Sequence, residues 1–367
     1  MPYFPPDLPE YNHMRHMCLP CPGMRYPFTE KELLPYVAHI NAKGTPDDWM
    51  FDSFLPLTSA SPSGNFICAD VNRGTTRSGE GDFFALPSPN PAKASDWLEF
   101  LDSQFCEEGL LSILEKTINS AAGKLGKPEY KRNVVITIPY PHPNQFLFGS
   151  IKDNGPSLNF SLTSQNLMKA CEQRLEACLW YIDETLARWK KANYKNLNLL
   201  GFYWIYESVH YSWEVDDHWV LKELYKQIKQ KKSKFFWIPF YSSFNVNMLS
   251  VYKDFYFDCA FLQPNHMFYK EIKDVKKAAL EAKDRYAGFE MEYCFGDDPR
   301  LGRKGERQRR FRNYLNGGVK YGYMTEAACA YFLGSKDAAK MAYAKDKVEN
   351  GLYHDMYHFI KGDYSIK

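Results

Sequence analysis

The chain has 367 residues and a formal net charge of +2, with 45% hydrophobic and 25% charged residues. That balance excludes a disordered or fibrous chain and gives no whole-chain attraction to nucleic acid or to an acidic surface. A chain of this length buries roughly three quarters of its extended surface, so its core needs no disulfide or metal.

Aromatic residues reach 16%, with 26 Tyr, 26 Phe and 8 Trp. Such rings fill cores, and they also stack on the apolar C–H faces of sugars; composition does not separate the two uses. The nine cysteines are scattered and odd in number, and Cys259 and Cys294 sit in apolar runs. That pattern points to reduced, buried thiols rather than a disulfide framework. Residues 1–6 lack the charged start and apolar stretch of a signal peptide, and no run reaches the ~18 apolar residues of a membrane span. The expectation is a soluble protein, cytoplasmic as the sequence stands and periplasmic or extracellular if a leader preceded it.

In chain order, short apolar runs at 17–20, 49–57, 134–140, 199–207, 235–241, 257–263, 288–293 and 321–325 read as strands. Between them, 29–41, 96–125, 164–194, 215–231, a short segment near 248–254, 270–286 and 307–317 read as helices. The clearest is 164–194, where Leu167, Cys171, Leu175, Cys178, Ile182, Leu186 and Trp189 repeat at three and four. The run at 235–240 is too apolar for a half-exposed strand and suits a parallel barrel. No G-x-G-x-x-G turn follows any strand, so a closed barrel is favoured over an open nucleotide-binding sheet. The expected fold is a single-domain (β/α)8 TIM barrel spanning 1–367. Residues 59–94, rich in Gly, Ser, Pro and Asn, are expected to form a long loop over the carboxyl face, and 337–367 a closing helix and tail.

Catalytic residues of such barrels come from strand ends. Glu207 ends an apolar run that has no structural use for an acid. Alternation places Glu290 and Glu292 on one face of the seventh strand, pointing inward, with Glu292 nearer the mouth. Two carboxylates are the inventory of glycoside hydrolysis: one acid to protonate the leaving oxygen, one carboxylate to attack or to activate water. On that analogy Glu207 is the general acid/base and Glu292 the nucleophile of a retaining enzyme, with Glu290 as the alternative to Glu292. Tyr206 stands where the analogous retaining glycosidases usually have Asn. A buried Glu bonded to a strand neighbour or an Arg is the competing structural reading. Asp52 is a candidate for orienting the sugar, equally a core acid bonded within the barrel. His142, Gln263, Asn265 and His266 are candidate hydroxyl partners, and Trp213, Tyr241 and Tyr293 candidate stacking platforms. Trp204 and Trp237 read as barrel packing.

Several stretches carry a family resemblance: WMFDSFL at 49–55, GFYWIYE at 201–207, FWIPF at 236–240, Gln263-Pro264-Asn265, GFEME at 288–292, YGYM at 321–324 and YHFIKG at 357–362. In this order the chain resembles the bacterial family known as domain of unknown function 4855. The resemblance implies a glycosidase-like barrel of the kind found in carbohydrate-using gut bacteria, and it assigns no residue a role.

The remaining motifs carry less. His13-x-x-His16-x-Cys18-x-x-Cys21 has zinc-ligand types at spacings too short for a finger, and alternation sends them to opposite faces. His354-x-x-x-His358 lacks the glutamate of a zinc protease helix. No metal or cofactor is expected. Arg300, Arg303, Lys304, Arg307, Arg309, Arg310 and Arg312 crowd the connection after the seventh strand. They are a solvated helix start or, because basic charge opposes the dipole there, a binding site for an anionic glycan. The expected partner is therefore carbohydrate, with no nucleic acid and no membrane span. The competing function is a carbohydrate-binding barrel without hydrolysis.

Overall fold

Eight parallel strands close into a barrel in the computed structural model, which describes residues 1–21, 27–68, 91–241, 246–296 and 303–367. Strand β1 (His16–Cys21) is followed by helix α1 (Glu30–Val37) and an antiparallel ribbon, β2 (Ala38–Ile40) with β3 (Pro46–Trp49), before β4 (Ser53–Phe54) enters the barrel. Helices α2 (Ala94–Phe105) and α3 (Leu110–Leu125) lead to β5 (Arg132–Ile138), and α4 (Leu167–Ala192) leads to β6 (Leu197–Trp204). Helix α5 (Asp217–Gln230) precedes β7 (Lys234–Trp237), the single turn α6 (Tyr252–Phe255) precedes β8 (Cys259–Leu262), and α7 (Lys276–Asp284) precedes β9 (Gly288–Glu292). Helices α8 (Lys304–Tyr321) and α9 (Tyr323–Glu326) lead to β10 (Cys329–Ser335), and α10 (Asp337–Ala342) and α11 (Lys347–Lys361) complete the chain. The last strand returns beside the first, with His16 opposite Cys329. This is a (β/α)8 TIM barrel.

Local chemistry explains the boundaries. Asn166 caps α4 by accepting from Lys169 N, and Asn193 ends it in the left-handed region. Thr29 and Glu32 form a capping box at α1. The reading of 29–41 as one helix is too long, because 38–40 turn extended and pair with β3. The reading of 96–125 as one helix misses the break at Cys106 and Gly109. Gly201 lies where β6 crosses β7: a Cβ there would meet the Lys234 carbonyl at 2.0 Å.

The eighth strand is the main correction. Residues 321–325 end α8 and begin α9, joined at Gly322 with φ of +89°. Tyr323 does not pair in a sheet; its ring is buried against Phe289, and its hydroxyl donates to the Tyr314 carbonyl. The strand is the next apolar run, Cys329–Ser335, whose alanine-rich approach reads equally well as helix. Thr325 and Glu326 therefore precede a strand at the amino end of the barrel, where Glu326 pairs with Lys283 at 2.8 Å. Of the expected loop 59–94, residues 69–90 lie outside the described residues, as does Arg300.

Candidate active site

A cavity of about 470 Å³ opens at the carboxyl ends of the strands. Its wall draws Leu19 and Cys21 from β1, Thr58 and Ser59 after β4, Tyr203 and Glu207 from β6 and its end, and Phe240 after β7. Gln263, Asn265, Phe268 and Tyr269 follow β8, Glu290 comes from β9 and Phe332 from β10. Six of the described wall residues are aromatic and two are carboxylates.

Glu207 is placed by the pleat and by what anchors the chain after it. Tyr203, Ile205 and Glu207 stand two residues apart and all line the cavity. Trp237 Nε1 donates to the Tyr206 carbonyl at 3.0 Å, holding the residue just before Glu207. Three residues on, the His210 amide donates to Asp217 Oδ2 at 3.0 Å. Asp217 is itself fixed by a buried ion pair with Arg174 at 2.5 Å and by the Tyr140 hydroxyl at 3.1 Å.

Glu290 is 1% exposed. Burial raises its carboxyl well above the usual range, and the charges of Glu292 and Glu207 add to that. No cation among the described residues offsets them, and Oε2 has no hydrogen-bond partner there. Of the competing reading, a glutamate bonded to a strand neighbour or an arginine, the arginine has no counterpart among the described residues. Glu292 is also buried, but it turns aside. Tyr314 from α8 donates to its Oε2, the Met267 amide approaches the same oxygen at 3.4 Å, and Oε1 is unpartnered among the described residues. Burial pushes this carboxyl up to about 8 against those hydrogen bonds. Both acids stand on the expected face of β9, yet Glu290 rather than Glu292 lines the cavity. At the last strand residue, donors from the β8 loop and α8 draw the carboxylate off the axis. Glu207 is half-buried, whereas the two β9 acids are closed in.

The other expected residues divide. Gln263 and Asn265 line the cavity; Gln263 Oε1 has no partner among the described residues, and Asn265 adopts a left-handed φ of 59°. Asp52 lies at the opposite end of the barrel, where it accepts from the amides of Arg15 and His16 and from the Ser53 hydroxyl. It caps the start of β1 and takes no part in the site. His266 points away: Nδ1 bonds the Ile272 carbonyl at 2.7 Å and Nε2 approaches Asn313. Tyr293 also faces outward, donating to Glu349 of α11. Its parity opposite Glu290 and Glu292 already placed it on the helix side. His142 follows β5 outside the cavity wall, its imidazole pushed down to about 4 by burial and the neighbouring Arg174. Tyr241 bonds through its amide to the Gln263 carbonyl at 2.8 Å and is not in the wall. Trp213 is 95% exposed at the tip of a turn closed by Ser212 and Val215.

No described residue of the basic run is in the cavity wall either. Lys304 pairs with Asp346, and Arg303 begins α8 exposed. Arg310 is buried and donates to the carbonyls of His266, Tyr269 and Ile272 while pairing with Glu306. It clamps the β8 loop that presents Asn265, Phe268 and Tyr269. Among the wall residues that sequence reasoning passed over are Tyr203, Cys21, Cys68, Phe268, Tyr269 and Phe332. Tyr203 had a signal, its period-two relation to Glu207; the loop rings had none. Among the described residues, no group of three His, Cys, Asp or Glu could hold a metal ion, and no helix is long and apolar enough to cross a membrane.

No curated protein sequence matches the chain. Among solved structures, the tryptophan synthase complex from Pyrococcus furiosus is 10% identical, with a TM-score of 0.37, covering 95% of this chain and 98% of that one. The tryptophan synthase A-subunit from the same hyperthermophile is 9% identical, with a TM-score of 0.38 and the same coverages. Scores this low carry no functional argument, and the fold rests on the strand order itself. The family model described as "Domain of unknown function (DUF4855)" matches residues 23–358. The chain therefore belongs to the DUF4855 family.

Proposed function

We propose that the protein is a glycoside hydrolase working with Glu207 and Glu290. The observation that carries this reading is the presence of both carboxylates in one aromatic-walled cavity, with Glu290 lacking any structural counter-ion among the described residues. Its volume of about 470 Å³ suits one or two sugar rings and falls in the range of roughly 300–1,000 Å³ usual for small-molecule sites. Tyr203, Tyr206, Phe240, Phe268, Tyr269 and Phe332 offer the ring faces on which sugars stack.

Burial decides the roles. Burial and the neighbouring carboxylates raise the Glu290 carboxyl well above its usual range, which suits it to protonate the leaving glycosidic oxygen. Glu207, half-buried at the mouth, attacks the anomeric carbon as that C–O bond breaks, forming a glycosyl ester. Water, deprotonated by Glu290, then cleaves the ester and restores both groups, with net retention. This exchanges the roles suggested by strand position and replaces Glu292 by Glu290. Glu292 stands behind Glu290, its own carboxyl likewise raised by burial.

A panel of glycans and aryl glycosides, with released reducing ends measured and binding followed in parallel, tests the proposal. Turnover on at least one member is expected. Binding without turnover across the panel would replace the hydrolase by a carbohydrate-binding barrel.

A further inference from the structure

His354 and His358 share α11, yet each turns to a different partner. His358 pairs with Asp363 at 3.0 Å, whereas His354 reaches the β2–β3 ribbon. There His354 Nδ1 and His39 Nε2 lie 2.8 Å apart. His39 Nδ1 stands 2.7 Å from Asp47 Oδ1, and because a carboxylate only accepts, that nitrogen carries the proton. The buried His39 ring is nearly parallel to the Tyr357 ring at 3.8 Å and to the Tyr353 ring at 5.6 Å. Further bonds tie α11 to the same ribbon. The Tyr357 hydroxyl donates to Asp48 Oδ2 at 2.8 Å, Lys361 pairs with that oxygen at 2.8 Å, and the Ile40 amide donates to the Tyr353 hydroxyl at 3.1 Å. Near its start, α11 also holds Tyr293, the residue after Glu292, through Glu349.

We propose that His39, Asp47 and His354 form a proton-sensitive clasp, which holds α11 to the ribbon near neutral pH and loosens it when acid brings a second proton to the imidazole pair. With His39 Nδ1 fixed as a donor, the neutral pair bonds through the His354 Nδ1–H. One proton added at His354 Nε2 leaves that bond in place. A second must enter the contact itself and sets N–H against N–H between two imidazolium rings. The surroundings oppose charge on His354: burial lowers its imidazole, His39 and His358 lower it further, and Asp355 and Asp47 offset this only in part. Once α11 is released, the imidazole returns toward its ordinary value of 6.5. Below that pH the released form binds more protons than the clasped one, so the hold weakens as pH falls. The other charges at the contact stay constant in this range. Asp48, despite burial, is held below its usual range by Lys361 and Tyr357, and Arg132, which acts on Asp48, remains a cation. His16 of β1, which feels the Lys361 charge, is pushed down to about 3 chiefly by burial.

Hydrogen exchange of the full-length protein at pH 7, 6 and 5, read by mass spectrometry and corrected for the intrinsic rate, tests the clasp. Peptides covering 347–361 are expected to lose protection about tenfold between pH 6 and 5, one proton being taken up per opening, while peptides of α4 keep theirs. The buried acids of β9 stabilise the fold as pH falls, so they act with the opposite sign. In His354→Gln the side-chain amide bonds His39 whether that ring is neutral or charged, and α11 is expected to be held equally at all three pH values. Should that variant fail to fold, the ring protons of His354 followed by NMR in the wild type take its place: titration below the ordinary value of 6.5 is expected, and titration at that value would overturn the proposal. Wild-type protection of α11 that does not change with pH, or a loss equally large in His354→Gln, would overturn it too.

Discussion

Replacing Glu292 by Gln keeps the shape of the side chain and removes its ability to ionise. In the folded protein this carboxyl holds its proton up to about pH 8, whereas an unperturbed glutamate releases it near 4.5. Between those values the unfolded chain binds fewer protons than the folded one, so stability is complete below about 4.5 and falls as pH rises toward 8. Each pH unit in that window costs about 1.4 kcal/mol per group, which gives on the order of 4 kcal/mol between pH 5 and 8 for Glu292. With an unfolding entropy of roughly 2.1 cal/mol/K per residue, that is about 5 °C in Tm for a barrel of this length. Glu290 acts with the same sign, so the wild-type protein carries two such contributions and Glu292→Gln only one. The Gln oxygen still accepts from Tyr314 and Met267, which keeps the comparison clean at pH 5. Scanning calorimetry at pH 5, 6, 7 and 8 should show the wild type losing about 5 °C more than the variant across that range. Parallel losses would refute the account of a buried acid without a counter-ion.

Arg310→Met should cost about 2–4 kcal/mol, because one buried and two part-buried carbonyls and Glu306 lose their donor. Urea midpoints measure that cost, and ligand binding should weaken as well, since the loop released carries Asn265, Phe268 and Tyr269. Asp217→Ala should cost about 3–5 kcal/mol by leaving Arg174 buried and alone. The joint replacement Asp217→Leu with Arg174→Met should recover much of that loss in the same urea titration.

The barrel was legible in the sequence because its strands are the apolar runs, and the long helix α4 because its period is unbroken from Leu167 to Trp189. What failed was the last unit. The run at 321–325 has strand composition, but Gly322 provides a helix end, and the alanine-rich start of β10 hides a strand inside helical composition. At the site, period two identified the face of β9 that bears both acids. It did not distinguish Glu290 from Glu292, since that depends on Tyr314, 22 residues away. Asp52 misled for a related reason: it precedes a strand of only two residues, so its end of the barrel depends on where pairing begins. The rings Phe268 and Tyr269 reach the cavity through a loop shaped by Asn265 and Arg310, and loop conformation leaves no periodic trace.

The central claim is that Glu207 and Glu290 form one catalytic pair. On the best glycan found, kcat and Kd measured side by side for wild type, Glu207→Gln and Glu290→Gln test it most directly. The account predicts that each variant loses roughly a thousandfold or more in kcat while binding the glycan within a few-fold of wild type. Turnover surviving in either variant, or falling only in step with binding, would contradict it.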